Sequence, residues 1–136
     1  MHVTLILCSA ALVILTLLLA FWTSIQRGAS KTIAYGAPLD PTSAMAKAQR
    51  AHGNSAEYAA LFMGLFVITG LAYAGRDLGL AVTSLVIAIT VSRFLHALGF
   101  LTCATLEKPH VFKAIGAIVT YLGGLALAIM VIVKVH

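Results

Sequence analysis

Val3–Ile25 is a run of 23 residues without one charged side chain. About 20 apolar residues in a helix cross the roughly 30 Å hydrocarbon core of a bilayer. A helix that is hydrophobic on every face has no soluble surface to lie on, so this stretch belongs in lipid or inside a large core. Mainly apolar runs recur at Tyr58–Ala74, at Leu78–Cys103 around Arg93, and at Val111–Val135 between Lys113 and Lys134. Only 10% of residues are charged and 61% are hydrophobic, with a mean hydropathy of +1.03; soluble domains carry about a quarter charged residues. The expected fold class is therefore all-α: an integral membrane four-helix bundle, one domain over residues 1–136, with helices near 3–26, 41–74, 78–103 and 111–135. A cleaved leader is a poorer account of the first run, which has no basic segment before it and exceeds the ~7–15 apolar residues of a signal core.

The breaks between runs set the order of the bundle. Trp22 and Arg27 read as an interfacial anchor followed by a positive stop. Arg27–Asp40 holds Gly28, Gly36 and Pro38 and reads as a loop. Asp40-Pro41-Thr42 then offers an N-cap with proline in the first turn, placing the start of helix two near Pro41. A helix from there to Ala74 is roughly 50 Å long at ~1.5 Å per residue, more than a bilayer needs. Its first half must leave the membrane or line a wet cavity. Gly75-Arg76-Asp77 is tight enough to make helices two and three antiparallel neighbours, and Ala104–His110 forms the third loop. Arg27, Lys31, Lys47, Arg50, Lys108 and Lys113 gather at loops one and three, so these loops are expected in the cytoplasm with both termini on the opposite side.

Polar residues inside this frame are the candidates for function, because ionisable groups in a span are costly unless paired or hydrated. Arg50, Asn54 and Glu57 stand at i, i+4 and i+7 and share a helix face; Arg93 and His96, at i and i+3, share another. With Lys113 at the start of helix four, all can converge on one cavity. Three cations against one acid leave a surplus of two positive charges, which calls for an anion: a carboxylate ligand, a phosphate head group or a thiolate. The bland alternative is that long basic side chains snorkel to lipid phosphates, an account that fits Lys113 better than Asn54 and Glu57. The net charge of +5 does not indicate nucleic acid, since no basic stripe with interleaved aromatics exists. His52 points away from Glu57 on the helix. Metal binding is not expected, because His52, His96 and Glu57 have no HxxxH or HExxH spacing. Cys8 and Cys103 sit at opposite ends and cannot pair. Gly116, Thr120, Gly124 and Ala128 form a small-residue stripe that allows close helix approach.

Arg50-Ala51-His52-Gly53-Asn54-Ser55-Ala56-Glu57-Tyr58, and after it Ser92-Arg93-Phe94-Leu95-His96-Ala97-Leu98-Gly99-Phe100, resemble the membrane-associated proteins in eicosanoid and glutathione metabolism, and the short loops resemble the small prokaryotic members. The resemblance covers all four expected helices. It implies a homotrimer in a bacterial inner membrane, with glutathione as co-substrate bound between neighbouring subunits at the cytoplasmic side. Arg50, Asn54, Glu57 and Tyr58 match positions that hold the tripeptide, Arg93 and His96 match helix-three positions facing it, and Arg27 matches a basic residue at the end of helix one.

The implied activity is a glutathione-dependent transferase or peroxidase. A thiol near pKa 8.5 is lowered toward neutrality by a nearby cation, and the thiolate attacks a lipophilic electrophile or lipid peroxide dissolved among the membrane lipids. Arg93 is the first candidate to activate the thiol. The eicosanoid enzymes of the family use an arginine near the start of helix four, where this chain offers Lys113 or Lys108, and lysine lacks the bidentate fork. Phe100 stands where those enzymes have tyrosine, and Gly53 where one of them has arginine. The alternative function is a non-catalytic lipid-binding or scaffold protein of the same fold. A small multidrug transporter fits less well, since its acid belongs in helix one.

Overall fold

A computed structural model describes residues 2–31 and 40–136 of the chain. Four helices follow in order: α1 (Val3–Ser30), α2 (Ala44–Ala72), α3 (Gly79–Thr102) and α4 (Val111–Val135). All four are long and apolar enough to cross a membrane, the build of an integral membrane protein. Their outward faces are strongly apolar, as at Leu71, Leu80 and Val133, which suits a lipid surround. The sequence features at Gly36 and Pro38 lie outside the described residues.

α1 runs four residues beyond the expected end. It closes on Lys31 in the left-handed conformation, with Arg27 in its last turn, where a cation faces the negative end of the helix dipole. Its buried line is Leu5, Leu12, Leu15, Leu19 and Thr23. The Thr23 hydroxyl donates to the Leu19 carbonyl at 2.8 Å and lies 3.2 Å from that of Ala48, tying α1 to α2.

α2 begins at Ala44, three residues later than the proline suggested. Ser43 is the N-cap, its hydroxyl oxygen accepting from Ala46 N at 3.2 Å. The Asp40 carboxylate is engaged earlier: Oδ1 accepts from the Thr42 backbone N–H at 2.9 Å and its hydroxyl at 2.8 Å. These bonds, the backbone one first, hold the Asp40 carboxyl below its ordinary pKa. A carboxylate folded into its own turn cannot also cap the helix. The carbonyl of Pro41 in turn accepts from Leu106 N at 3.0 Å, so the segment before α2 is pinned to the loop between α3 and α4.

At the opposite end, α2 stops at Ala72 and Gly75 takes a φ of +72°, a value that glycine reaches without a Cβ clash. His2 Nε2 reaches the Tyr73 carbonyl at 3.3 Å, and Lys134 Nζ lies 5.1 Å from the Tyr73 ring centre. α3 and α4 approach most closely. A Cβ on Gly116 would fall 2.6 Å from His96 Cβ and 2.9 Å from its Cα, and one on Gly99 would fall 2.6 Å from Lys113 N. Backbone meets backbone there, as small residues permit in membrane bundles. The expected stripe on α4 divides between two neighbours. Gly116 and Thr120 are buried toward α3, whereas Gly124 faces Phe62 of α2, where an added Cβ would lie 2.9 Å from Phe62 Cε1.

Candidate functional site

Arg93 lies in the second half of α3 with 2% of its surface exposed. The neighbouring helices supply its partners. From α2, Asn54 offers its side-chain oxygen and, at 3.4 Å, its backbone carbonyl; from α4, Thr120 Oγ1 accepts from the other terminal nitrogen at 3.4 Å. The guanidinium carbon also lies 4.6 Å from the centre of the Tyr58 ring, a cation–π contact strengthened by the dry surroundings. The Thr120 hydroxyl is further fixed. Ser92 donates to the Ile89 carbonyl at 2.7 Å, so its single hydrogen is engaged, and Thr120, 3.1 Å away, is the donor to Ser92. Such a chain polarises each member toward the charge. The observed bonds of Arg93 all go to neutral oxygens and a π face, so among the described residues no carboxylate is in direct contact with the positive charge.

The Arg50–Asn54–Glu57 face is therefore split by depth. Asn54 is buried on Arg93, while Arg50 and Glu57 are exposed on either side of it. Arg50 lies one helical turn nearer the start of α2, and its guanidinium reaches to 5.9 Å from the Phe100 ring centre. Lys113 approaches the same ring at 5.6 Å and donates to the Lys108 carbonyl at 2.9 Å and the Leu106 carbonyl at 3.3 Å. Lys113 thus clasps the loop before α4. His96 donates from Nδ1 to the Lys113 carbonyl at 2.8 Å and meets Phe100 edge-on at 4.9 Å. Arg93 and His96 share a helix face but serve different neighbourhoods. The cations expected to crowd one cavity are instead graded from an enclosed Arg93 to a half-buried Lys113 and an exposed Arg50. Arg27 is half-buried in the last turn of α1, at the same end of the bundle.

Two residues on α4 complete the site without having been candidates. Thr120 and Tyr121 are the only hydroxyl-bearing residues of α4, and they stand between Lys113 and Lys134 in an otherwise apolar helix. That isolation was a readable signal, since polar groups in a span seldom lack a partner. Tyr121 is 56% exposed, and its ring centre lies 6.1 Å from that of Tyr58. Both tyrosines and Thr120 line a groove of about 680 Å³ between α2 and α4, whose other walls include Leu61, Leu65, Gly124 and Leu125. The enclosed guanidinium thus stands behind Tyr58 and Thr120 at one side of an apolar trough.

The MAPEG family model matches residues 5–133. The chain belongs to the MAPEG family. The match takes in all four helices and every residue of the cluster just described, so the four-helix membrane bundle is that of the MAPEG family. No curated protein and no solved structure matches the chain. Within this MAPEG chain Asn54, Tyr58 and Arg93 come together directly, and Arg50, His96 and Lys113 come together around Phe100.

Proposed function

We propose that this MAPEG chain is a glutathione-dependent membrane transferase or peroxidase, joining the glutathione thiolate to lipophilic electrophiles or reducing lipid peroxides. The observation that supports it is the enclosed Arg93 charge, placed between a polar lip and an apolar groove. A thiolate with a lipophilic reaction partner needs that juxtaposition. The exposed Arg50 guanidinium suits the tripeptide's carboxylates and the exposed Glu57 carboxylate its ammonium, while Lys113 and Arg27 add positive charge at the same end of the bundle.

Arg93 acts in this reading through its field. Its terminal N–H groups are engaged by Asn54 and Thr120, so Asn54 and Tyr58 serve partly as its mounting. A unit charge about 7 Å away at an effective dielectric of about 20 is worth roughly 2.4 kcal/mol, or about 1.7 pKa units. That alone moves a thiol from about 8.5 to near neutrality. The site is completed by a neighbouring subunit of a homotrimer, because a single four-helix subunit leaves the lip and groove open. Loops one and three, with most of the basic residues, face the cytoplasm of a bacterial inner membrane in this reading.

The test uses the purified protein in detergent. Glutathione binds at millimolar or better affinity, the thiolate absorbance band rises at neutral pH, and an aryl halide is conjugated. If neither binding nor the thiolate band responds, the enzymatic reading falls. The second reading, a non-catalytic lipid-binding or scaffold protein, is favoured by the apolar groove itself. It predicts displacement of a bound fluorescent lipid with no thiolate signal.

A further inference from the structure

Tyr121 lies where the polar cluster meets the apolar groove, and the glutathione reading gives it no part. Its ring packs at 6.1 Å from Tyr58, which itself covers the Arg93 guanidinium. It follows directly on Thr120, the α4 ligand of Arg93. More than half of its surface is open, and it lines the groove beside Leu125 and Gly124. Its charged neighbourhood is Arg93 of α3 together with Glu57 beside Tyr58 on α2. A phenol hydroxyl both donates and accepts; that of Tyr121 meets the hydroxyl of Tyr58, and its open side faces the groove. Phenols away from water usually find a partner for the hydroxyl; Tyr58 is that partner here, and when Tyr58 donates, Tyr121 keeps its own hydrogen for a ligand in the groove.

We infer that Tyr121 is the catalytic proton donor to the oxygen that departs or develops charge on the lipophilic substrate. The inference rests on the glutathione reading above. For a hydroperoxide the balance is as follows. The thiolate sulfur attacks the terminal oxygen, the O–O bond breaks, and sulfur is oxidised to the sulfenic acid while the peroxide is reduced to an alkoxide. The alkoxide takes the Tyr121 proton and leaves as the alcohol, and the phenolate regains a proton from water at the lip. A second glutathione converts the sulfenic acid to the disulfide and water. For an epoxide the same proton goes to the ring oxygen as the C–S bond forms. An aryl halide needs no such proton, because chloride leaves as a stable anion. General acid catalysis of this kind contributes about 10²–10⁴-fold.

The experiment compares wild type and Tyr121→Phe, in lipid nanodiscs, for turnover of an alkyl hydroperoxide and of an aryl halide, with glutathione binding and the thiolate band read on the same samples. Phenylalanine keeps the ring contact with Tyr58 and removes only the hydroxyl, and equal thermal unfolding of the two proteins checks that the bundle is intact. The expected result is a fall of about tenfold or more in the ratio of peroxidase to aryl-halide turnover. An unchanged ratio, whether both rates hold or both fall, overturns the assignment of Tyr121 and leaves the glutathione reading standing. A wild-type protein with a thiolate band but no hydroperoxide turnover also overturns the assignment. Absence of the thiolate band in wild type overturns both.

Discussion

The two halves of this bundle use the same three helices, α2, α3 and α4, and opposite chemistry. Away from the basic loops, Phe62 and Phe66 of α2 pack with Val82, Val86 and Ile89 of α3 and Leu127 of α4 into a buried apolar cluster. One to three turns along the same helices, Asn54, Arg93 and Thr120 replace such contacts with a buried cation and its oxygens. In lipid the apolar half gains little from burial, since acyl chains are as apolar as leucine; what holds it is the closeness of packing. The polar half holds a charge that lipid would reject, so its geometry must be completed by the protein. The first half makes the bundle rigid, and the second gives it a candidate site.

If that division is right, damage to the halves should separate. The largest effect on stability is expected from Phe66→Ala, at a side chain with no exposed surface. A loss of about 3 kcal/mol is expected, at the low end for such truncations because the packing term remains without the transfer term. Unfolding in mixed micelles measures it, and glutathione affinity of the folded fraction should hold. A parallel collapse of affinity would mean that the halves are not separable.

Asn54→Leu comes next, with an expected loss of about 1.5–3 kcal/mol, because it removes the side-chain acceptor of a buried guanidinium. Arg93→Met is expected to alter stability by less, since replacing a buried ion with an apolar side chain of similar length is often neutral, yet it should abolish the thiolate band. The Asn54→Leu/Arg93→Met pair should therefore be more stable than Asn54→Leu alone. Additive losses in this double-mutant cycle would remove the bond between them from the account.

The helices were legible because lipid imposes a simple rule on them: enough apolar residues to cross, with breaks where the chain turns. Arg93 and Asn54 were also legible, since each is an expensive residue at span depth. Their relation was not. Helical spacing put Arg50, Asn54 and Glu57 on one face, but how deeply each position sits depends on how α2 is rotated against α3, which no local pattern encodes. Thr120 looked like a packing residue because small side chains at four-residue spacing usually are. It performs both tasks, lying beside α3 and accepting from Arg93. The close approach at Gly99 and Gly116 fixes the α3–α4 register that allows this, and a register is a property of two helices at once.

The smallest predicted effect tests where the polar half begins. The sequence favours Asp40 and Pro41 as the start of α2, whereas the fold uses Ser43, three residues further on. Ser43→Ala removes the oxygen that accepts from Ala46 N and should destabilise the first turn by about 1 kcal/mol. The effect is local, so it belongs in amide exchange at Ala46 rather than in global unfolding. Asp40→Ala should leave that exchange unchanged, because the Asp40 carboxylate serves Thr42. Protonation offers the same test without mutation. The folded Asp40 pKa is depressed, so its contribution is complete above the unfolded value near 3.9 and is lost only as pH falls through the lower folded value. Acidification through the ordinary carboxylate range should accordingly loosen the Thr42 turn late, with Ala46 still protected. The reverse order, Ala46 exposed first and Asp40→Ala reproducing it, would return the cap to Asp40 and extend the polar half of α2 by a turn.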